Sequence, residues 1–250
     1  MNRVSLIARK EAGELLLSQR GLVWLLAAAL TLSGFGMLLV SNTELSLLDN
    51  AQVVHDMVAI VTALGSLLAL VVGIDTVAGE RERGSLVPLL LTPISRDAIV
   101  AGKLGGIAIA WAVMYALAVP YVWAVGSTGQ NLADGILMLV LLGTPVVLGF
   151  GFFGMGLGAR LSSARSALLT GMIALMLSAS PLLLGPSLRQ SAIGRGFDAV
   201  NPFSAAVNAY DAVVIDSQSI SAQWYHGTIT SVWLLVTLWL ALTGFRRIAQ

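Results

Sequence analysis

Six stretches of this chain are apolar and close to the length that crosses a bilayer: Gly21–Val40, Met57–Ala78, Leu104–Val125, Ile136–Ala159, Ala167–Pro186 and Ile229–Phe245. A helix rises about 1.5 Å per residue, so about twenty residues cover the roughly 30 Å of hydrocarbon. No water is available there to satisfy exposed backbone, so each stretch must close its hydrogen bonds within itself as helix. The expected fold class is therefore all-α: a polytopic membrane protein with six transmembrane helices in one domain spanning residues 1–250. Composition agrees, because 57% of the residues are hydrophobic and only 11% are charged, against about 25% in soluble domains. The first stretch is expected to stay in the protein, since it is too long for a signal h-region and follows a polar leader containing Glu11 and Glu14.

Lysine and arginine set the expected orientation. Arg3, Arg9, Lys10, Arg20, Arg81, Arg83, Arg96, Lys103, Arg160, Arg165, Arg246 and Arg247 all fall on one side if the six stretches alternate, and only Arg189 and Arg195 fall on the other. The positive-inside rule then puts both termini in the cytoplasm of an inner-membrane protein. Glu44, Asp49, Asp56, Asp134, Asp198, Asp211 and Asp216 lie on the outer side.

Residues 1–20 read as an interfacial helix. Val4, Ala8, Ala12, Leu15 and Leu16 share one side at helical spacing, with Glu11 at the edge of that side as an imperfection. A solvated basic leader that only fixes topology is the alternative. The outer loop 187–227 carries its own helix signal: Asn201 suits an N-cap and Pro202 a first helical position. Phe203, Val207, Tyr210 and Val214 then give one apolar face, so Pro202–Ile215 is expected to lie on the outer membrane surface or to cap the bundle.

Glycine is dense in the fourth stretch, at Gly149, Gly151, Gly154, Gly156 and Gly158. Small residues allow close helix approach. They mark a packing seam, either at an interface between copies, along a moving pathway, or within one bundle. Pro120, Pro145 and Pro181 interrupt three stretches, and no internal repeat is visible, which disfavours an inverted-repeat carrier.

Few residues offer chemistry. Asp75 is the one acid inside a predicted span, so a proton-coupling role is conceivable, but at that depth it can equally reach interfacial water or pair with Arg81 or Arg83. No cysteine is present, and His55 and His226 fall outside the spans, so no metal site is expected. Gly102-Lys103 is followed by Leu104, and Asp97 stands where a phosphate-binding loop needs its first glycine, so the chain has no such loop and no catalytic ATPase residues of that kind.

The most unusual segment is 79–103, which holds seven charged residues between two apolar stretches. Glu80 and Arg83 stand at i, i+3 and can pair along a helix, while Gly84 ends that helix or permits a tight turn. The run Gly79-Glu80-Arg81-Glu82-Arg83-Gly84-Ser85-Leu86, followed by Leu89-Leu90-Leu91, Pro93, Ser95-Arg96 and Gly102-Lys103, resembles the cytoplasmic coupling-helix region of type-2 ABC exporter permeases. The likeness is to the nitrous-oxide-reductase maturation type in particular. Ile7-Ala8-Arg9-Lys10-Glu11 resembles the interfacial elbow helix of the same family.

The resemblance implies a homodimer of permease chains, each docked to a separate cytoplasmic ATPase subunit. ATP and magnesium would be held by the ATPases, with no cofactor on this chain. Carried over, Glu80, Arg81, Glu82, Arg83, Gly84, Ser85 and Leu86 form or flank the coupling helix, and Pro93, Ser95 and Arg96 shape its return. A periplasmic accessory protein is a further expected partner; nucleic acid is not. Two readings stand beside this one: a proton-coupled secondary transporter switched by Asp75, and a non-transporting membrane scaffold.

Overall fold

The computed structural model describes residues 3–16, 18–41, 50–91, 94–126, 131–183 and 191–248. Among these, the regular elements are all helical. α1 (Arg3–Leu16) precedes α2 (Gln19–Ser41). α3 (Asn50–Ile74) continues through a π-helical turn, Asp75–Gly79, into a last turn at Glu80–Glu82. A short α4 (Leu86–Leu90) leads to α5 (Arg96–Gly126). α6 (Leu132–Met138) runs through the π turn Leu139–Gly143 into α7 (Thr144–Arg160). Then come α8 (Ala164–Leu183), α9 (Ala192–Val200), α10 (Pro202–Tyr210) and α11 (Trp224–Ile248).

Among the described residues, five helical segments are long and apolar enough to cross a membrane: Gly21–Leu39, Ala51–Glu82, Arg96–Gly126, Leu132–Arg160 and Ile220–Arg247. α8 is a sixth apolar helix of 20 residues, at the lower limit of a crossing. The protein is thus an all-helical, polytopic membrane protein. Its helices overrun the apolar stretches on the basic side, where the charged residues at the end of α3 keep their backbone hydrogen bonds.

α7 is the central helix, packed between α3 on one side and α11 on the other, while α1 lies along α5. The glycines of α7 account for both contacts. A Cβ at Gly154 would strike the Leu70 carbonyl of α3, and one at Gly158 would come within 3.0 Å of the Ile74 carbonyl oxygen. Gly151 faces Ala69 of α3 and Ile107 of α5. Gly149 and Gly156 face α11, where the Trp233 ring also sits 5.1 Å from that of Phe150. All five are buried by this chain's own helices, so the seam is a packing surface within one bundle.

α10 packs against the bundle, and more of it is buried than the single apolar face of the sequence reading. Asn201 does cap it, accepting from Phe203 N at 3.0 Å, with Pro202 in the first turn. Yet every α10 residue except Asn208 is buried, and the helix is wedged against α11, α8 and α3. Of the two expected placements, burial against the bundle fits a cap and not a helix lying on the outer surface, and more than one face is covered. The reason is on its other sides, where Ser204, Ala205, Ala206 and Ala209 are small enough to pack closely. Asn201 Nδ2 donates to the Ser178 carbonyl at 2.7 Å, and the Tyr210 hydroxyl lies 3.1 Å from Thr62 Oγ1. The helical run covers the expected Pro202–Ile215, passing from α-helix into a π turn at Asp211–Ile215.

Candidate functional site

The charged segment begins inside α3. In the π turn, Glu80 N–H bonds back to Asp75 O instead of to Thr76 O, which frees the Thr76 carbonyl. Lys103 Nζ, from the first third of α5, donates to it at 2.8 Å and to Glu11 Oε1 of α1 at 3.1 Å. Nζ also lies 2.7 Å from Glu80 Oε2, an ion pair without the alignment of a hydrogen bond. The lysine side chain is fully buried, and those of Glu11 and Glu80 are 4% and 6% exposed. One ammonium therefore ties together α1, the end of α3 and the start of α5.

Glycines let these elements meet. A Cβ at Gly102 would strike Ile7, one at Gly105 would come within 3.1 Å of Ala8, and one at Gly106 within 2.7 Å of the Glu11 side chain. α1 thus turns Ile7, Ala8, Glu11 and Ala12 inward, and Glu11 belongs on its buried side. Burial raises the Glu11 carboxyl above the ordinary range; Lys103 opposes that rise and Glu80 adds to it.

The other three charges of the motif are also held within the chain. Arg83 pairs with Asp75 through two contacts, 3.3 Å from Nη1 to Oδ1 and 3.1 Å from Nη2 to Oδ2. Arg81 donates to the Leu161 carbonyl, and Glu82 Oε1 accepts from Ala164 N at 2.7 Å at the start of α8. The i, i+3 pairing of Glu80 with Arg83 is therefore not formed, because Lys103 and Asp75 offer each residue a nearer opposite charge. Asp75 itself is 36% exposed and faces its arginine.

Gly84 ends the helix with φ +71°. Ser85 N donates to Glu80 O at 3.0 Å and Gly84 N to Arg81 O at 3.1 Å, the paired bonds of a Schellman turn, which needs the left-handed conformation glycine adopts freely. Leu86 is buried at 2% exposed, while Pro88 and Leu91 face outward, Leu91 at 81%. Pro93 lies outside the described residues. Ser95 starts α5, with its hydroxyl 3.4 Å from Ala98 N, and Arg96 is exposed.

Behind this hairpin lies a cavity of about 690 Å³. Trp24 of α2, Leu68 and Val71 of α3 and Leu168 of α8 form its apolar wall. Glu11, Glu14, Asp75 and Glu80 make its floor acidic, with Arg83 and Arg165 at hand. No group of three or more metal-ligating side chains occurs among the described residues.

The site thus combines a rigid, internally paired base at Asp75–Glu82 with an outward tip at Pro88–Leu91. The sequence motif drew notice to its charges, but those brace the fold, and beyond Gly84 the outward-facing residues are Pro88 and Leu91. Glu11 and Lys103 were missed as a pair. The only signals were an acid intruding on the apolar side of α1 and a lysine at the head of an apolar stretch.

Comparison with curated proteins gives no match. A protein-family comparison matches residues 5–248 to the family described as ABC-2 family transporter protein. That match spans both the N-terminal helix on α5 and the charged hairpin whose geometry is given above. The chain belongs to the ABC-2 transporter family, as a multi-pass membrane component of an ABC transporter.

Proposed function

We propose that this chain is the transmembrane permease subunit of an ATP-driven exporter, and that it couples ATP hydrolysis by a separate ATPase subunit to movement of substrate across the membrane. The observation that carries this reading is the hairpin 80–96. Its base is pinned to α1, α5 and the turn before α8 by ion pairs and hydrogen bonds. Its tip turns Pro88 and Leu91 outward. A push on such a tip moves α3 and α5 together, because their shared base does not yield separately.

Two copies of the chain would enclose the route, with one ATPase on each hairpin and ATP and magnesium bound there. The basic ends, including both termini, would face the cytoplasm of an inner-membrane protein. The cavity between α2, α3 and α8, apolar above and acidic below, would admit an amphipathic cargo. The resemblance to maturation-type permeases supports a periplasmic accessory protein as the receiver.

The test is co-purification with the ATPase of its gene neighbourhood. Leu91→Asp is expected to abolish recovery of the ATPase and substrate-stimulated hydrolysis while the chain still elutes folded in detergent. Full recovery and full transport by that variant would overturn the docking assignment.

A further inference from the structure

We infer that the Glu11–Lys103–Glu80 cluster is a proton-binding site, in which the Glu11 carboxyl holds a proton beside the Lys103 ammonium and the facing Glu80. Two carboxylates face one ammonium, and all three side chains are nearly or fully buried. With both acids ionised, the cluster carries a surplus negative charge, and buried charge without compensation is relieved by taking up a proton.

Lys103 cannot serve both acids equally. Its aligned hydrogen bonds go to Glu11 Oε1 and the Thr76 carbonyl, and Glu80 Oε2 receives contact but no aligned donor. The raised Glu11 carboxyl fits this arrangement, and burial is its main cause.

Most of the surrounding charges pair among themselves, and Lys10 favours the ionised Glu11 only as the weakest of the influences on it. On α1, Lys10 and Glu14 pair with each other at 3.4 Å. At the end of α3, Asp75 and Arg83 pair with each other. Arg165 of α8 lines the cavity, and the α2 residues that line it (Gln19, Gly21 and Trp24) are uncharged. The cavity also touches Glu11, Thr76 and Glu80, giving the proton a path from water. The site stands whether or not the hairpin docks an ATPase, since it rests only on contacts within this chain.

Removing the proton leaves like charges facing each other across the α1–hairpin contact, so the contact weakens as pH rises. The sign follows from linkage. A carboxyl held protonated in the folded state above the unfolded value of 4.5 contributes stability that is present below that value and lost as pH rises through the folded one.

The experiment uses the full chain in lipid nanodiscs. An infrared pH titration should show a protonated-carboxyl carbonyl band, sensitive to deuterium, that persists above the ordinary carboxylate range. Glu11→Gln and Glu80→Gln should each remove it, because either leaves a neutral pair, while Glu14→Gln and Asp75→Asn should keep it. In parallel, the unfolding equilibrium of the unsubstituted chain should shift by up to about tenfold per pH unit above the unfolded value, and both cluster variants should flatten that slope. Absence of the band, its survival in Glu11→Gln, or its loss in Asp75→Asn would overturn the site. Loss in Glu11→Gln but not in Glu80→Gln would place an ordinary protonated side chain there and overturn the role of the facing Glu80.

Discussion

Replacing Gly154 by alanine tests the contact between α3 and α7, on which the bundle is built. The added Cβ would strike the Leu70 carbonyl oxygen and come within 3.2 Å of its carbon and 3.3 Å of Ile74 Cγ1. A helix backbone cannot rotate away as a side chain can, so the helices must separate locally, at a cost of about 1–3 kcal/mol. Alanine also brings a helix-propensity gain of about 1 kcal/mol over glycine, which would mask part of that cost. Gly34 of α2 supplies the reference, because a Cβ there meets nothing within 4 Å. The difference between Gly154→Ala and Gly34→Ala therefore isolates the steric cost, about 1–3 kcal/mol. Reversible SDS unfolding in mixed micelles, followed by tryptophan fluorescence, measures it. If Gly154→Ala is as stable as Gly34→Ala, the α3–α7 backbones do not approach as described.

Lys103→Met should destabilise the chain by about 3–5 kcal/mol, with partial recovery at acid pH where both facing carboxyls are protonated; the same unfolding assay at two pH values decides it. Lys10→Ala, which breaks an exposed pair, should cost less than about 1 kcal/mol. Gly84→Ala forces a side chain into a left-handed conformation and should cost about 1–2 kcal/mol, read as a lower unfolding midpoint. Asn201→Ala removes both the cap of α10 and the bond to Ser178, and should cost at least the 0.5–2 kcal/mol typical of a lost cap (about 1), measured the same way.

The membrane helices were legible because the bilayer demands about twenty apolar residues in a row, a constraint few sequence changes can hide. The Gly84 turn and the Asn201 cap were legible too, since each rests on a local backbone preference. The Asp75–Arg83 pair lay within reach as one of two options, being eight residues apart on one helix end. What was not legible depends on distant chain. Glu11 meets Lys103 across 92 positions, Arg81 and Glu82 find the 161–164 turn some 80 positions on, and neither carries a local mark. The π turn that frees the Thr76 carbonyl has no side-chain signature. The burial of α10 on several sides was not legible, because its apolar stripe at helical spacing outweighed the alanines that let its other sides pack.

The central claim, that the tip of the 80–96 hairpin is the contact through which an ATPase drives this chain, has a direct measurement. The chain contains no cysteine, so Leu91→Cys introduces a single reactive thiol at the exposed tip. In the complex with its ATPase, a thiol-to-amine cross-linker should join position 91 to the ATPase subunit, with a yield that changes on adding ATP. Ile193→Cys, which is 86% exposed on α9, should not cross-link to it. A co-purifying ATPase that cross-links to position 193 and never to position 91 would contradict the account.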